Sequence, residues 1–156
     1  MLAPVLRQRL PVPGRRNGFA AFAALERVRR EAEAVAAILD AAHAGRCQLV
    51  RSVAHDFEND RNPREDRRLA TRLWLEGATV VMRASATAAE RARGLAALGF
   101  RPLDALHLAF AELSAARWFV TTDERLLKRA TSQRDRLRVE VLRPDQVPLE
   151  AAGFRV

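Results

Sequence analysis

The chain has 156 residues, 49% hydrophobic and 29% charged, with a single cysteine, Cys47. That length suggests one domain able to bury a proper core, and one cysteine makes no internal disulfide, so nothing calls for an oxidising compartment. No apolar run approaches the roughly 18 residues of a membrane span, and the opening Met-Leu-Ala-Pro-Val-Leu-Arg-Gln-Arg-Leu lacks the order of a signal peptide. A cytoplasmic protein with no membrane partner is expected. Net charge is +8 and the sequence pI about 11.4, and Lys128 is the only lysine, so the basicity is almost all arginine. Guanidinium groups bind phosphate in a planar fork, and a basic surplus favours nucleic-acid partners. The arginines are dispersed rather than gathered in one tract, which a GC-rich coding composition would also produce.

In chain order, residues 1 to 18 are irregular, with Pro4, Pro11, Pro13, Gly14 and Gly18 among arginines. A short strand around Leu2 to Leu6 would tolerate Pro4 only at an edge or its first residue. Phe19 to Ala44 predicts a long helix, its buried stripe drawn through Leu25, Val28, Ala32, Val35, Ile38, Leu39 and Ala42 and its end at Gly45. Cys47 to Arg51 predicts a strand, and Ser52 a cap for a helix from Val53 to about Asp60. Asn62-Pro63 breaks that helix and opens another to Glu76, closed by Gly77. A strand follows over Thr79 to Arg83, then a helix from Thr87 to Leu98 closed by Gly99.

Pro102 opens the next helix, with Asp104 near its third position. A buried strand from Trp118 to Thr121 ends just before Asp123. A helix from about Glu124 to Ser132, a strand from Arg138 to Leu142 and a short helix or turn over Pro144 to Ala152 complete the chain. Strands separated by helices throughout imply an α/β domain, its sheet mostly parallel with helices on both faces.

Familiar catalytic motifs are absent: no phosphate-cradling glycine loop, no nucleophile elbow, no zinc-spaced cysteines and histidines. Acids near strand ends remain, where open α/β sheets place ligands. Asp104 reads either as a helix-start acid favoured by the macrodipole or as a functional carboxylate. His107, Leu108, Ala111 and Ala115 share its face, which therefore looks buried, and a carboxylate there wants a cation or donors. Asp123 reads as the cap of the helix at Glu124 or as an acid at the carboxyl end of a strand. Glu58 reads as a solvated glutamate or as an acid held by a helix that Phe57 anchors, with Asp56 and Asp60 as nearby alternatives. His55 and His107 stand three residues from Glu58 and Asp104, on shared helix faces. A di-metal helical bundle would use such pairs, but the α/β alternation argues against a bundle. Three carboxylates drawn together repel unless a hard divalent cation such as magnesium or manganese lies among them. Such an ion activates water for phosphodiester hydrolysis, so with an arginine-rich surface the sum points to a metal-dependent nuclease.

Asp104-Ala-Leu-His-Leu-Ala, with Trp118-Phe-Val-Thr-Thr-Asp123-Glu-Arg-Leu-Leu, resembles the C-terminal half of a PIN domain of the VapC-like kind. Arg30-Glu-Ala-Glu-Ala-Val35, Gly45-Arg-Cys-Gln-Leu-Val-Arg-Ser52, Phe57-Glu58-Asn59 and Asn62-Pro63 follow the order of one PIN subgroup. The likeness spans roughly residues 26 to 145 and implies a PIN-like three-layer sandwich over 26–156, after an atypical segment 1–25. It further implies a magnesium- or manganese-dependent ribonuclease acting on RNA, often the toxin of a type II pair with a cognate antitoxin, and commonly a homodimer. The family's acids carry over as Glu58, Asp104 and Asp123, which would hold the ions. His107, Thr122 and Ser52 are expected to support them. PIN domains also open with a strand ending in a ligand aspartate, in a pattern like Tyr-Leu-Asp-Thr-Cys, whereas here no aspartate precedes Asp40. A shifted frame or misplaced start, a catalytically inactive descendant that binds RNA or an antitoxin, or substitution by Glu26 would each account for this.

Overall fold

The computed structural model describes residues 18–150 and 154–156. The strand considered around Leu2 to Leu6, and most of the segment 1–25, lie outside these residues. The elements are α1 (Gly18–His43), β1 (Cys47–Gln48), β2 (Val50–Ser52), α2 (Val53–Asp60), α3 (Glu65–Glu76), β3 (Val80–Met82), α4 (Ala86–Ala97), α5 (Pro102–Leu113), β4 (Trp118–Val120), α6 (Glu124–Ser132), β5 (Glu140–Leu142) and β6 (Phe154–Arg155). Single 3-10 turns occupy Arg134–Arg136 and Pro144–Gln146. The expected strand 47–51 is divided at Leu49, and β6 was not anticipated from the sequence.

All described strand pairs are parallel: β1 with β6, β2 with β3, and β4 with β5. The Val50 N–H donates to the Val156 carbonyl at 2.8 Å and the Val156 N–H to the Gln48 carbonyl at 2.9 Å, while the Val80 N–H reaches the Leu49 carbonyl at 3.3 Å. Backbone groups of successive strand residues point to opposite sides, so segment 47–52 lies between β6 and β3. The β4–β5 ladder shares no ladder hydrogen bond with these strands among the described residues.

Alternation along the strands covers both faces of the sheet. Val50 and Phe119 pack with Leu95, Leu108, Leu126 and Ala130 from α4, α5 and α6. Cys47, Leu49, Trp118 and Val120 pack instead with Ile38 and Ala41 of α1 and with Val147 and Val156. Helices therefore cover both sides of a small parallel sheet, as the βαβ alternation predicts.

The buried line of α1 differs from the expected stripe. Leu25 is 55% exposed and Ala32 is exposed, whereas Glu31, Val35, Ile38 and Ala41 are buried. Steps of four and three residues connect these last four, so they form one helix face; Leu25 and Ala32 lie just off its edge. Gly45 (φ 71°) and Gly99 (φ 89°) close α1 and α4 in the left-handed conformation. Ala115 does the same after α5, at φ 54°, so it lies beyond the helix and is exposed rather than sharing the buried face of Asp104. The following Ala116 N–H donates to the Ala111 carbonyl at 2.9 Å, completing the cap.

Candidate functional site

Three elements bring the predicted acids toward one end of the sheet. Asp104 lies in the first turn of α5, which opens at Pro102 where a missing N–H costs nothing. Asp123 follows β4 and caps α6, accepting from the backbone N–H groups of Arg125 (2.8 Å) and Leu126 (3.0 Å) through Oδ1. The Thr121 hydroxyl accepts the Asp123 N–H at 3.1 Å and fixes the turn. Glu58 projects from α2, which follows β2 directly. Asp123 therefore caps α6 through one oxygen, while its Oδ2 lies 3.8 Å from Arg125 Nη2.

What lies between Asp104 and Asp123 is a guanidinium. Arg125 Nη2 stands 3.0 Å from Asp104 Oδ2 and 3.8 Å from Asp123 Oδ2. Glu58 Oε2 meets His107 Nε2 at 3.2 Å, so His107, 3% exposed, ties α2 to α5. Burial, followed by the Asp123 charge, pushes the Asp104 carboxyl above its ordinary 3.8; His107 and Arg101 pull it back and Glu58 adds to the rise. Asp104 is thus electrically coupled to both other acids.

Behind His107 lies a second imidazole. The Ser52 N–H donates to His55 Nδ1 at 3.0 Å, so the His55 proton resides on Nε2. The rings of His55 and His107 meet edge to face with centroids 4.7 Å apart. His55 Nε2 and His107 Nδ1 are both buried and make no hydrogen bond. Burial first, then the His107 neighbour, holds the His55 pKa well below the ordinary 6.5. Ser52 is thus joined to His107 through His55. Thr122 lies half-buried between the Thr121 brace and Asp123.

The alternative acids on α2 face elsewhere. Asp56 is paired with Arg51 at 2.7 Å and Asp60 with Arg72 at 3.8 Å. Nor does Phe57 anchor α2, because it is 50% exposed with the Arg61 guanidinium 3.8 Å over its ring. Ala54, His55 and Asn59 are the buried positions that fix this helix.

Three residues that sequence reasoning passed over belong to this end of the molecule. Arg125 occupies the second position of α6, where the positive end of the helix dipole disfavours a cation; that misfit was the available signal. Thr121 was read only as the end of a strand. Glu31 is 3% exposed on the core stripe of α1 and meets Arg27 at 3.6 Å; its four-residue step to Val35 marked it. Arg27 also reaches Glu124, next to Asp123, at 3.5 Å.

The donor chemistry suits a hard divalent ion: carboxylate oxygens from three elements, with Asp104 raised first by burial and then by the Asp123 charge. As placed, Asp104 is engaged by Arg125 and Glu58 by His107, and among the described residues no three histidine, cysteine, aspartate or glutamate side chains converge into a closed metal cluster.

The structure is a parallel α/β sandwich with acids at strand and helix ends. The sequence model of the PIN domain matches residues 19–132, so the chain belongs to the PIN domain family, a family of nuclease-type function. No curated protein and no solved structure gives a significant match.

Proposed function

We propose that this protein is a divalent-metal-dependent endoribonuclease of the PIN/VapC type that hydrolyses RNA phosphodiesters, the toxin of a type II toxin–antitoxin pair. The observation that supports the reading is geometric: Asp104 and Asp123 stand 3.0 and 3.8 Å from one guanidinium, Arg125, and Glu58 reaches α5 through His107 at 3.2 Å. In this reading residues 26–156 form the catalytic domain, and Glu58, Asp104 and Asp123 hold magnesium or manganese. A bound ion of this kind supplies an activated water and neutralises charge developing on the phosphate. The chain's own part is positional. The α6 cap fixes one Asp123 oxygen and leaves the other turned inward. His107 orients Glu58, backed by His55 and Ser52. The arginine-rich surface holds the phosphate backbone in register. A cytoplasmic location, a cognate antitoxin and a homodimer belong to the same reading.

A second reading has a specific observation behind it. No aspartate precedes Asp40, and Arg125 already neutralises Asp104. A catalytically inactive PIN-like module that binds RNA or an antitoxin fits those facts. Incubating single-stranded RNA with the full chain and magnesium or manganese separates the two. The enzyme cleaves, EDTA stops it, and Asp104→Asn abolishes cleavage. RNA retention without turnover, unchanged by Asp104→Asn, supports the binder and sinks the nuclease.

A further inference from the structure

Arg125 is in an electrostatically odd place. It is the second residue of α6, where backbone N–H dipoles repel a cation. Its guanidinium nonetheless turns back over the helix start and meets carboxylates from two different elements. The side chain is 44% exposed, and its guanidinium is held by Asp104 at 3.0 Å and Asp123 at 3.8 Å. Its backbone N–H is separately committed to Asp123 Oδ1 at 2.8 Å. The guanidinium can therefore leave without disturbing the cap.

We propose that Arg125 is the resident counter-cation of the acidic site. Its guanidinium occupies the place between Asp104 and Asp123 that a divalent ion must take, and so sets how tightly that ion binds. The inference rests on the metal-dependent reading of the site. Two cations cannot both sit against the same pair of oxygens, so loading an ion displaces Arg125 and forfeits its ion pair. Each carboxylate thus has a partner in the metal-free protein: Arg125 for Asp104 and Asp123, and His107 for Glu58. That spares the fold the repulsion three unpaired acids would bring.

The test is manganese binding by the full chain, followed by isothermal titration calorimetry and by the rise in Tm that the metal induces. The variants are Arg125→Gln, Arg125→Lys and Asp104→Asn. A partly exposed ion pair contributes up to about 1 kcal/mol, so Arg125→Gln should bind manganese about fivefold tighter than wild type. Its metal-free Tm should fall and its metal-induced rise should grow, while Arg125→Lys, which keeps a cation, stays closer to wild type. Binding by Arg125→Gln that equals or falls below wild type overturns the proposal. If wild type binds manganese and Asp104→Asn does not, that failure belongs to Arg125 alone. If neither wild type nor Arg125→Gln binds, the metal-dependent reading falls and takes this inference with it.

Discussion

The buried imidazole of His55 makes a pH-dependent stability that can be worked out and checked. Its ring is 6% exposed, faces His107 from α5, and lies near Arg51 at the end of β2. Each of these disfavours a second proton, and the folded pKa lies well below 6.5. In the unfolded chain the ring titrates near 6.5. A base whose folded pKa is depressed takes up fewer protons folded than unfolded as the medium acidifies. The stability it contributes is therefore whole above the unfolded pKa and is lost as pH falls from there toward the folded value. Lowering the pH from 7.5 to 5.5 protonates the unfolded ring almost completely, which removes up to about 1.4 kcal/mol. For a chain of this size that is about 3–5 °C in Tm. The comparison is His55→Gln, which keeps an acceptor for the Ser52 N–H but cannot ionise. Thermal or urea unfolding of both proteins at half-unit steps between pH 7.5 and 5.5 gives two slopes. Wild type should lose stability more steeply than the variant, by the amount above. Parallel slopes would mean that His55 accepts a proton in the folded protein, and the reasoning from burial would fail.

Two further changes test the packing. Glu112 has a side chain only 1% exposed and is held by Arg91 Nε at 2.6 Å, by Arg91 Nη2 at 3.0 Å and by the Arg138 N–H at 3.0 Å. Arg91→Ala strands that carboxylate and should cost about 3 kcal/mol in urea unfolding, much of it restored by adding Glu112→Gln; no loss, or no restoration, refutes the buried-pair account. At Ala115 the left-handed backbone (φ 54°) penalises a Cβ, so Ala115→Gly should raise stability by roughly 0.5–1 kcal/mol, and an equal loss would show the strain absent.

How much of this the sequence disclosed depended on the range of the interactions involved. Helix ends marked by Gly45, Gly99 and the Asp123 cap were legible because a positive φ and an N-cap are one-residue requirements. The range of α6 was read without error for the same reason. The stripe of α1 was right at Val35 and Ile38 but one position off at Ala32 and Ala42, where Glu31 and Ala41 are buried instead, because Ala-rich sequence offers little contrast between faces. Alanine at 32 and alanine at 41 look alike, and only packing against Trp118 and Val120 distinguishes them. The pairing of β1 with β6 joins residues 47 and 154, and nothing local in either stretch announces it. At the candidate site, Glu58, Asp104 and Asp123 were picked out by resemblance to the PIN family more than by their place in the chain. That Arg125 would fold back onto Asp104 depends on two helix starts meeting in space. Short-range pattern carries no information on such a meeting.

The separation of the β4–β5 ladder from the other strands carries a mechanical implication. Glu58 rides on the β2 side of that seam and Asp123 on the β4 side. The sheet does not fix the span between them, because no ladder hydrogen bond crosses the seam among the described residues. The crossing is made by α5, which contacts β2, β4 and α2 and carries both Asp104 and His107. Side chains also cross the seam, where Leu49 and Cys47 pack with Trp118 and Val120, so the two sides are held by packing and by α5 rather than by a continuous ladder.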